Sequence, residues 1–251
     1  MVKEQLIVDS GSRSIKIHKP ADFEAMRIAG RLAADTLDFI AEHVVPGAVT
    51  NELDKKCADY IADRGGISAP MNYRGYPKSV CISVNHVVCH GIPGDKVLND
   101  GDILNIDVTP KVNGWHGDSS RMFHVGKVGV KAKRLIDVTY EALIRGIEVV
   151  KPGATVGDIG YAIQSYVAPF GYSIVRDFCG HGLGKIFHDA PNILHFGNPG
   201  EGAVLQEGMF FTIEPMVNIG RADVKILKDG WTAVTKDHSL SAQTAQSPIS
   251  R

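Results

Sequence analysis

Four cysteines in 251 residues are too few for a disulfide scaffold, and Cys57, Cys81, Cys89 and Cys179 contain no Cys-x-x-Cys pair of the kind that holds zinc or runs thiol redox chemistry. They are expected as reduced thiols packed as small apolar groups. No run approaches the roughly 18 apolar residues that span a bilayer; the best candidate, residues 208–217, is interrupted by Thr212, Glu214 and Pro215. The stretch Leu6-Ile7-Val8, between Lys3 and Asp9, is too short for the core of a secretory signal. These shortages point to a cytoplasmic compartment and no membrane partner. There is no surplus of one charge either: 27 basic against 28 acidic residues leave −1, so the broad cationic surface that grips DNA phosphates is missing. No Gly/Ser-rich or Pro-rich linker divides the chain, and 44% hydrophobic with 22% charged residues is the composition of a globular domain.

What the sequence does have is an internal echo. Val44-Val45-Pro46-Gly47-Ala48-Val49-Thr50 is answered by Val149-Val150-Lys151-Pro152-Gly153-Ala154-Thr155. Before each copy, apolar residues recur at helical steps: Met26, Ala29, Ala33, Leu37, Ile40 and Val44, then Ile136, Tyr140, Leu143, Ile147 and Val150. After each, Thr50 and Thr155 are the expected N-caps of a second helix, with Leu53, Cys57 and Ile61 or Ile159, Ile163 and Val167 on its apolar face. Strand-like sequence follows each helix pair, over 79–90, 103–112 and 115–125, then 182–196, 209–219 and 230–239. Helices gathered before strands predict an α+β domain in which two similar halves, about 15–125 and 126–243, share one antiparallel sheet covered on one face. A Pro-Gly-Ala loop that merely recurs between unrelated helices fits the same residues.

The sharpest local inference concerns Asp107 and Asp118. Asn113-Gly114 is the dipeptide most typical of a two-residue hairpin turn, and with these two as the loop, cross-strand partners have numbers that sum to 227. Asp118 then faces Thr109, which shares a face with Asp107 because side chains alternate along a strand. The two carboxylates become diagonal neighbours with backbones roughly 7–8 Å apart, while Leu104, Ile106 and Val108 take the apolar face. Two buried like charges repel and call for a cation; two solvated surface aspartates are the plainer alternative. His116 falls on the same face by parity without thereby being a ligand. Two further segments add donors: His181 and His188 bracket Gly182-Leu183-Gly184, and Glu214 stands inside the apolar run Phe211-Thr212-Ile213. Carboxylate oxygens with neutral imidazole suit first-row divalent ions in a hydrolytic site.

Six separated segments in order, Tyr76-Pro77-Lys78-Ser79-Val80-Cys81-Ile82-Ser83, Val87-Val88-Cys89-His90-Gly91-Ile92-Pro93, Asn105-Ile106-Asp107-Val108, Gly117-Asp118, Gly180-His181-Gly182 and Ile213-Glu214-Pro215, resemble those of bacterial type I methionine aminopeptidase. The resemblance covers nearly the whole chain. It implies the duplicated α+β architecture called the pita-bread fold, as a single catalytic domain. It further implies removal of the N-terminal methionine from nascent proteins with a small second residue. Up to two divalent ions (Co, Mn, Fe or Zn) are implied as cofactors, and the implied partners are nascent chain ends, at the ribosome, for a monomeric enzyme. Carried over by residue, it makes Asp107 a chelating ligand of one ion, Asp118 a bridge, and His181 and Glu214 ligands of the other, with Glu214 also passing protons. His90 and His188 hydrogen-bond the scissile peptide and the tetrahedral intermediate. Tyr73, Tyr76, Cys81, Phe187 and Trp231 line the methionine pocket. The motifs and compact length match these enzymes better than the proline-specific peptidases of the same fold.

The resemblance stops near the end. The family's last ligand is a glutamate bridging both ions shortly after a Ser-Leu-Ser-Ala-Gln run; this chain keeps Ser239-Leu240-Ser241-Ala242-Gln243 but has Ala245 at the ligand's place, and 244–251 form a divergent tail. A methyl group cannot ligate a metal, so the second ion is expected to bind weakly. Two readings remain: a metallo-aminopeptidase, weakened, and a catalytically silent relative that binds nascent peptides or a partner.

Overall fold

A computed structural model describes residues 6–8 and 14–247; residues 248–251 of the expected tail lie outside the described part, as do Lys3 and Asp9. Four long helices carry the architecture: α1 (Pro20–Ala41), α2 (Thr50–Asp63), α3 (Val130–Glu148) and α4 (Val156–Val167). α1 starts before the apolar register does, because Pro20 pre-sets the first turn and the Asp22 carboxylate accepts the Lys19 N–H at 3.0 Å. The expected inner faces of α1, α2 and α4 are buried. The face expected for α3 is buried in part: Leu143 is fully buried and Ile136, Ile147 and Val150 half-buried, but Tyr140 is 52% exposed, and α3 also buries Leu135, Val138, Ala142 and Gly146. The reason is packing against α4: a Cβ at position 146 would press on Ile163, so small residues, not the large apolar ones, mark the contact line.

Thr155 caps α4 as expected, its hydroxyl accepting the Asp158 N–H at 3.2 Å while Asp158 returns the bond to the Thr155 N–H at 2.7 Å. Thr155→Ala is expected to destabilise the fold by about 1 kcal/mol, read as a lower denaturant midpoint at unchanged slope. Thr50 does not cap α2. Val49 holds that place, and the Thr50 hydroxyl exchanges bonds of 2.9 and 3.0 Å with the carbonyl and N–H of Gly94.

The repeated triplet makes the same bonds twice. Gly47 N–H donates to Leu98 and Leu98 N–H to Ala48, both at 2.8 Å; Gly153 N–H donates to Leu205 at 2.9 Å and Leu205 N–H to Ala154 at 2.7 Å. Both glycines have φ of 90°, a left-handed turn that explains why glycine recurs there. From these anchors each half enters its main strand in step: Gly101 precedes the strand ending near Asp107, and Gly208, 107 positions on, precedes the run ending at Glu214. Asp107 and Glu214 are thus equivalent steps of the repeat.

All strand pairings are antiparallel, but the expected single sheet is divided into six small sheets of two or three strands among the described residues. One of three strands (Cys81–Val84, Ile103–Val108, Ser119–His124) belongs to the first half, and one (Ser173–Ile174, Met216–Asn218, Ser241–Gln243) to the second. They meet at the bridge Ser120↔Ala245, and the two halves also pair where Val87–Cys89 runs antiparallel to Ala233–Thr235. The expected strand over 79–90 breaks at Asn85, whose φ is 55°; 182–196 gives way to a loop at 183–188; 209–219 is laddered only at Met216–Asn218, since Pro215 has no N–H to contribute. The hairpin keeps the predicted register throughout, with Val112↔Trp115, Lys111↔His116, Val108↔Ser119 and Asp107↔Ser120. Leu104, Ile106 and Val108 pack with α1 and α2 in the first half's core, while α3 and α4 cover a second core around Ile213 and Val217. Helices therefore occupy one side of the strands, and the acidic face is turned to the other.

Candidate active site

On that other side lies a cleft of about 310 Å³, lined by all eleven site residues expected from the sequence: Tyr73, Tyr76, Cys81, His90, Asp107, Asp118, His181, Phe187, His188, Glu214 and Trp231. A larger groove of about 920 Å³ between α1 and α3 has no imidazole or thiol in its walls. Its carboxylates Glu24, Asp137 and Glu141 are already paired with Arg27, Lys133 and Arg145, so size does not make it the reactive site.

The hairpin register delivers Asp107 and Asp118 to one face, where each carboxyl acts on the other's protonation and Thr109 on that of Asp118. Gly117 lets the backbone turn into this position: a Cβ there would strike the Ala29 carbonyl of α1. Gly182 plays the same part beside His181, against the Ala190 carbonyl. The His181 ring places Nδ1 3.1 Å from the Gly182 carbonyl, which fixes the proton on Nδ1 and leaves the Nε2 lone pair facing the acids. Nε2 is 3.5 Å from Asp118 Oδ2 and 3.6 Å from Glu214 Oε1. Two donors on a common ion with bonds near 2.1 Å stand roughly 3.4 Å apart at tetrahedral angles. Among the described residues no three of these side chains close into a finished metal cage, so the donors converge without yet sharing one coordination sphere. Asp107 Oδ1 is buried with no hydrogen-bond partner.

Among the described residues no lysine or arginine pairs with these acids. Burial pushes the Asp107 carboxyl up to about 7. Burial, then Asp107 and Glu214, hold Asp118 well above the ordinary carboxylate range. Burial, with Asp107 adding to it, raises Glu214 to about 8, and burial lowers His181 to about 4. Each group is held toward its neutral form, with desolvation the first cause in every case.

Three residues without an obvious sequence signal hold Glu214. The Thr212 hydroxyl donates to Oε1 at 2.6 Å and accepts the His181 N–H at 2.9 Å, tying two candidate ligands through one buried side chain. The Gln243 amide donates to Oε2 at 3.2 Å, and His195 Nε2 accepts the Glu214 N–H at 3.1 Å. Only the parity of Thr212 with Glu214 hinted at any of this.

Aromatic rings close the cleft. His188, exposed at one edge, lies 4.2 Å from His181 and 5.0 Å from Tyr73 by ring centroid, and desolvation of the ring within the cleft, with the neighbouring His181, His90 and Arg74 adding to it, lowers its pKa to about 3. Trp231 meets Tyr76 edge-on at 5.2 Å and His90 at 6.0 Å. The Tyr76 hydroxyl reaches the Val80 and Gly91 carbonyls at 3.1 and 2.9 Å. Burial keeps the Cys81 thiol protonated. His116 stands behind the wall, stacked on Phe187 at 5.4 Å and bonded to the Gly184 carbonyl at 2.8 Å.

Residues 24–240 match the model of metallopeptidase family M24. The chain belongs to that family. Among M24 relatives, the methionine aminopeptidase of Rickettsia prowazekii is 59% identical over 231 residues, 92% of this chain and 89% of that protein. The Escherichia coli methionine aminopeptidase is 53% identical over 232 residues, 92% of this chain and 88% of its own length. The crystal structure of the Rickettsia enzyme superposes with a TM-score of 0.93 at 58% identity, covering 94% of this chain and 96% of that one. The M24 fold extends to the prolidase of Pyrococcus furiosus, with a TM-score of 0.75, 22% identity and coverage of 93% of this chain and 62% of that one, a likeness of fold alone. The fold is therefore the duplicated α+β one expected, and the chain is of a metallopeptidase family, whose members depend on divalent ions.

Proposed function

We propose that this chain removes the N-terminal methionine from polypeptides whose second residue is small. The observation that carries the reading is the wall of three buried carboxylates and one oriented imidazole in a cleft closed by aromatic rings and a thiol; the naming of its M24 relatives supports it. Nascent chain ends are the substrates in this reading, met in the cytoplasm at the ribosome by a monomer. No helix of the described residues is long and apolar enough to cross a membrane.

Asp107, Asp118, His181 and Glu214 are the donors that would hold a divalent ion, of Co, Mn, Fe or Zn; the partnerless Asp107 Oδ1 and the aimed His181 lone pair fit such a cation. When bound, it supplies Lewis acidity toward the scissile carbonyl and an activated water. The chain's own residues do the rest. Tyr73, Tyr76, Cys81, Phe187 and Trp231 enclose an unbranched thioether side chain, which suits aromatic faces. His90 and His188, both neutral near pH 7 because burial depresses them, hydrogen-bond the scissile peptide and its tetrahedral form without adding charge. Glu214, with Thr212 and Gln243 fixing its two oxygens, carries a proton from water to the departing amine. Ala245 leaves up to two ions with one fewer carboxylate between them, so the second is held weakly. The silent-binder reading gains nothing from the relatives, which carry an enzyme's name.

With Co(II) or Mn(II) added, a Met-Ala-Ser peptide is expected to lose its methionine while peptides beginning with Pro, Lys or Glu stay intact. His188→Ala is expected to lower kcat by about 10²-fold with little change in metal affinity. Equal cleavage of Lys-initiated peptides, or a His188→Ala variant at full rate, overturns the reading.

A further inference from the structure

We infer that Arg74 makes the mouth of the cleft selective for Met-initiated peptides bearing an acidic side chain downstream of the small second residue. This rests on the proposed methionine removal and adds the substrate class that the site prefers. Among the residues lining the cleft, Arg74, Asp177 and His188 are exposed, so they form its mouth. They stand on different flanks. One runs outward from the acids as a series of rings: His181, His188 at 4.2 Å from it, Tyr73 at 5.0 Å from His188, and the Arg74 guanidinium over the Tyr73 ring at 5.2 Å. Asp177 belongs to the other, next to Phe178, whose ring meets His90 edge-on at 5.4 Å. Among the described residues no carboxylate pairs with Arg74. Its charge is free, and it is felt at the His188 ring.

The backbone shows that this placement is held against local preference. Within 70–76, Asn72 and Arg74 have φ of 64° and 49°, and Gly75 follows at 87°. The left-handed region suits asparagine and glycine and disfavours a long side chain. The loop is nevertheless locked, with Asn72 N–H on the Tyr76 carbonyl at 2.8 Å, and Tyr73 on Pro70 and Tyr76 on Tyr73 at 2.9 Å each. In this reading a peptide whose first residue is enclosed and whose first peptide bond is held by His188 leaves along the His188–Tyr73 flank. The next fixed charge it meets is the guanidinium. Arginine braced on an aromatic face offers paired donors to a carboxylate, and it repels lysine.

The test compares Met-Ala-Asp-Ala, Met-Ala-Asn-Ala and Met-Ala-Lys-Ala, measured both as binding by calorimetry and as kcat/KM on the metal-supplemented full chain. The Asp peptide is expected to exceed the Asn peptide by about 3- to 5-fold at low salt, and the advantage is expected to shrink at high salt. Arg74→Asn, which tolerates the left-handed backbone, levels the series; Arg74→Glu inverts it in favour of the Lys peptide; Arg74→Lys retains part of it. A flat series in the parent chain, or an Asp preference that survives Arg74→Asn, overturns the inference while leaving methionine removal standing. If none of the three peptides is bound or cleaved, the methionine reading falls, and this inference with it.

Discussion

Ala245→Glu is expected to tighten binding of a second divalent ion by about 10- to 100-fold and to raise the rate of methionine removal in parallel. The strand register locates the reason. Asp107 pairs with Ser120 in one ladder, and Ser120 pairs with Ala245 through the bridge that joins the two halves, so the three side chains form one row across the strands. Alternation agrees: Gln243, two residues before Ala245, points into the cleft and bonds Glu214. Ser120, between them, is small. A glutamate at 245 is therefore aimed over Ser120 at the Asp107–Asp118 pair. Two cations roughly 3.5–4 Å apart, the spacing of two-metal sites, repel strongly in a buried cleft and depend on anions between them. Co(II) titration followed by calorimetry, beside cleavage of Met-Ala-Ser, separates this from the view that one ion suffices. Equal stoichiometry and equal rates for the two proteins would sink it.

The metal-free chain is expected to lose stability as pH rises from 6.5 to 8. His181 and His188 are depressed from 6.5 to about 4 and about 3, chiefly by burial, so their neutral forms contribute stability that is present above 6.5 and lost as pH falls through those values. The acids act oppositely. Asp107 and Glu214 are raised, to about 7 and about 8, so their contribution is complete below the ordinary carboxylate range and disappears as pH rises through the raised values. Between pH 6.5 and 8 the histidines no longer change, and Glu214 alone withdraws on the order of 2 kcal/mol. A divalent ion displaces those same protons, so its stabilisation grows over that window. Thermal unfolding in chelator and in Mn(II) checks both: Tm in chelator falls from pH 6.5 to 8, and the gap between the curves widens. A gap that narrows with pH contradicts the assignment of these acids as ion-binding.

The hairpin acids were legible because Asn113-Gly114 fixes a register that parity then propagates, and the observed pairs keep it from Val112↔Trp115 to Ile103↔His124. The helix faces of α1, α2 and α4 were legible because large apolar residues mark them. α3 was legible only in part: Leu143 is buried as expected, but the contact with α4 also runs through Ala142 and Gly146, where absence of side chain is the signal. The supports of Glu214 escaped for a different reason. His195 and Gln243 lie 19 and 29 positions away from it, and no periodicity connects residues that meet only when separate ladders converge. Thr50 misled because a threonine before a helix can serve a neighbouring loop as well as the helix end.

The four donors divide evenly between the halves, Asp107 and Asp118 from the first and His181 and Glu214 from the second, and the halves meet at the Ser120↔Ala245 bridge and where Val87–Cys89 pairs with Ala233–Thr235. An ion or ion pair drawing donors from both halves would act as a clasp: its release is expected to loosen one half from the other, so resistance to proteases along the seam is expected to report on the cation as well as catalysis does.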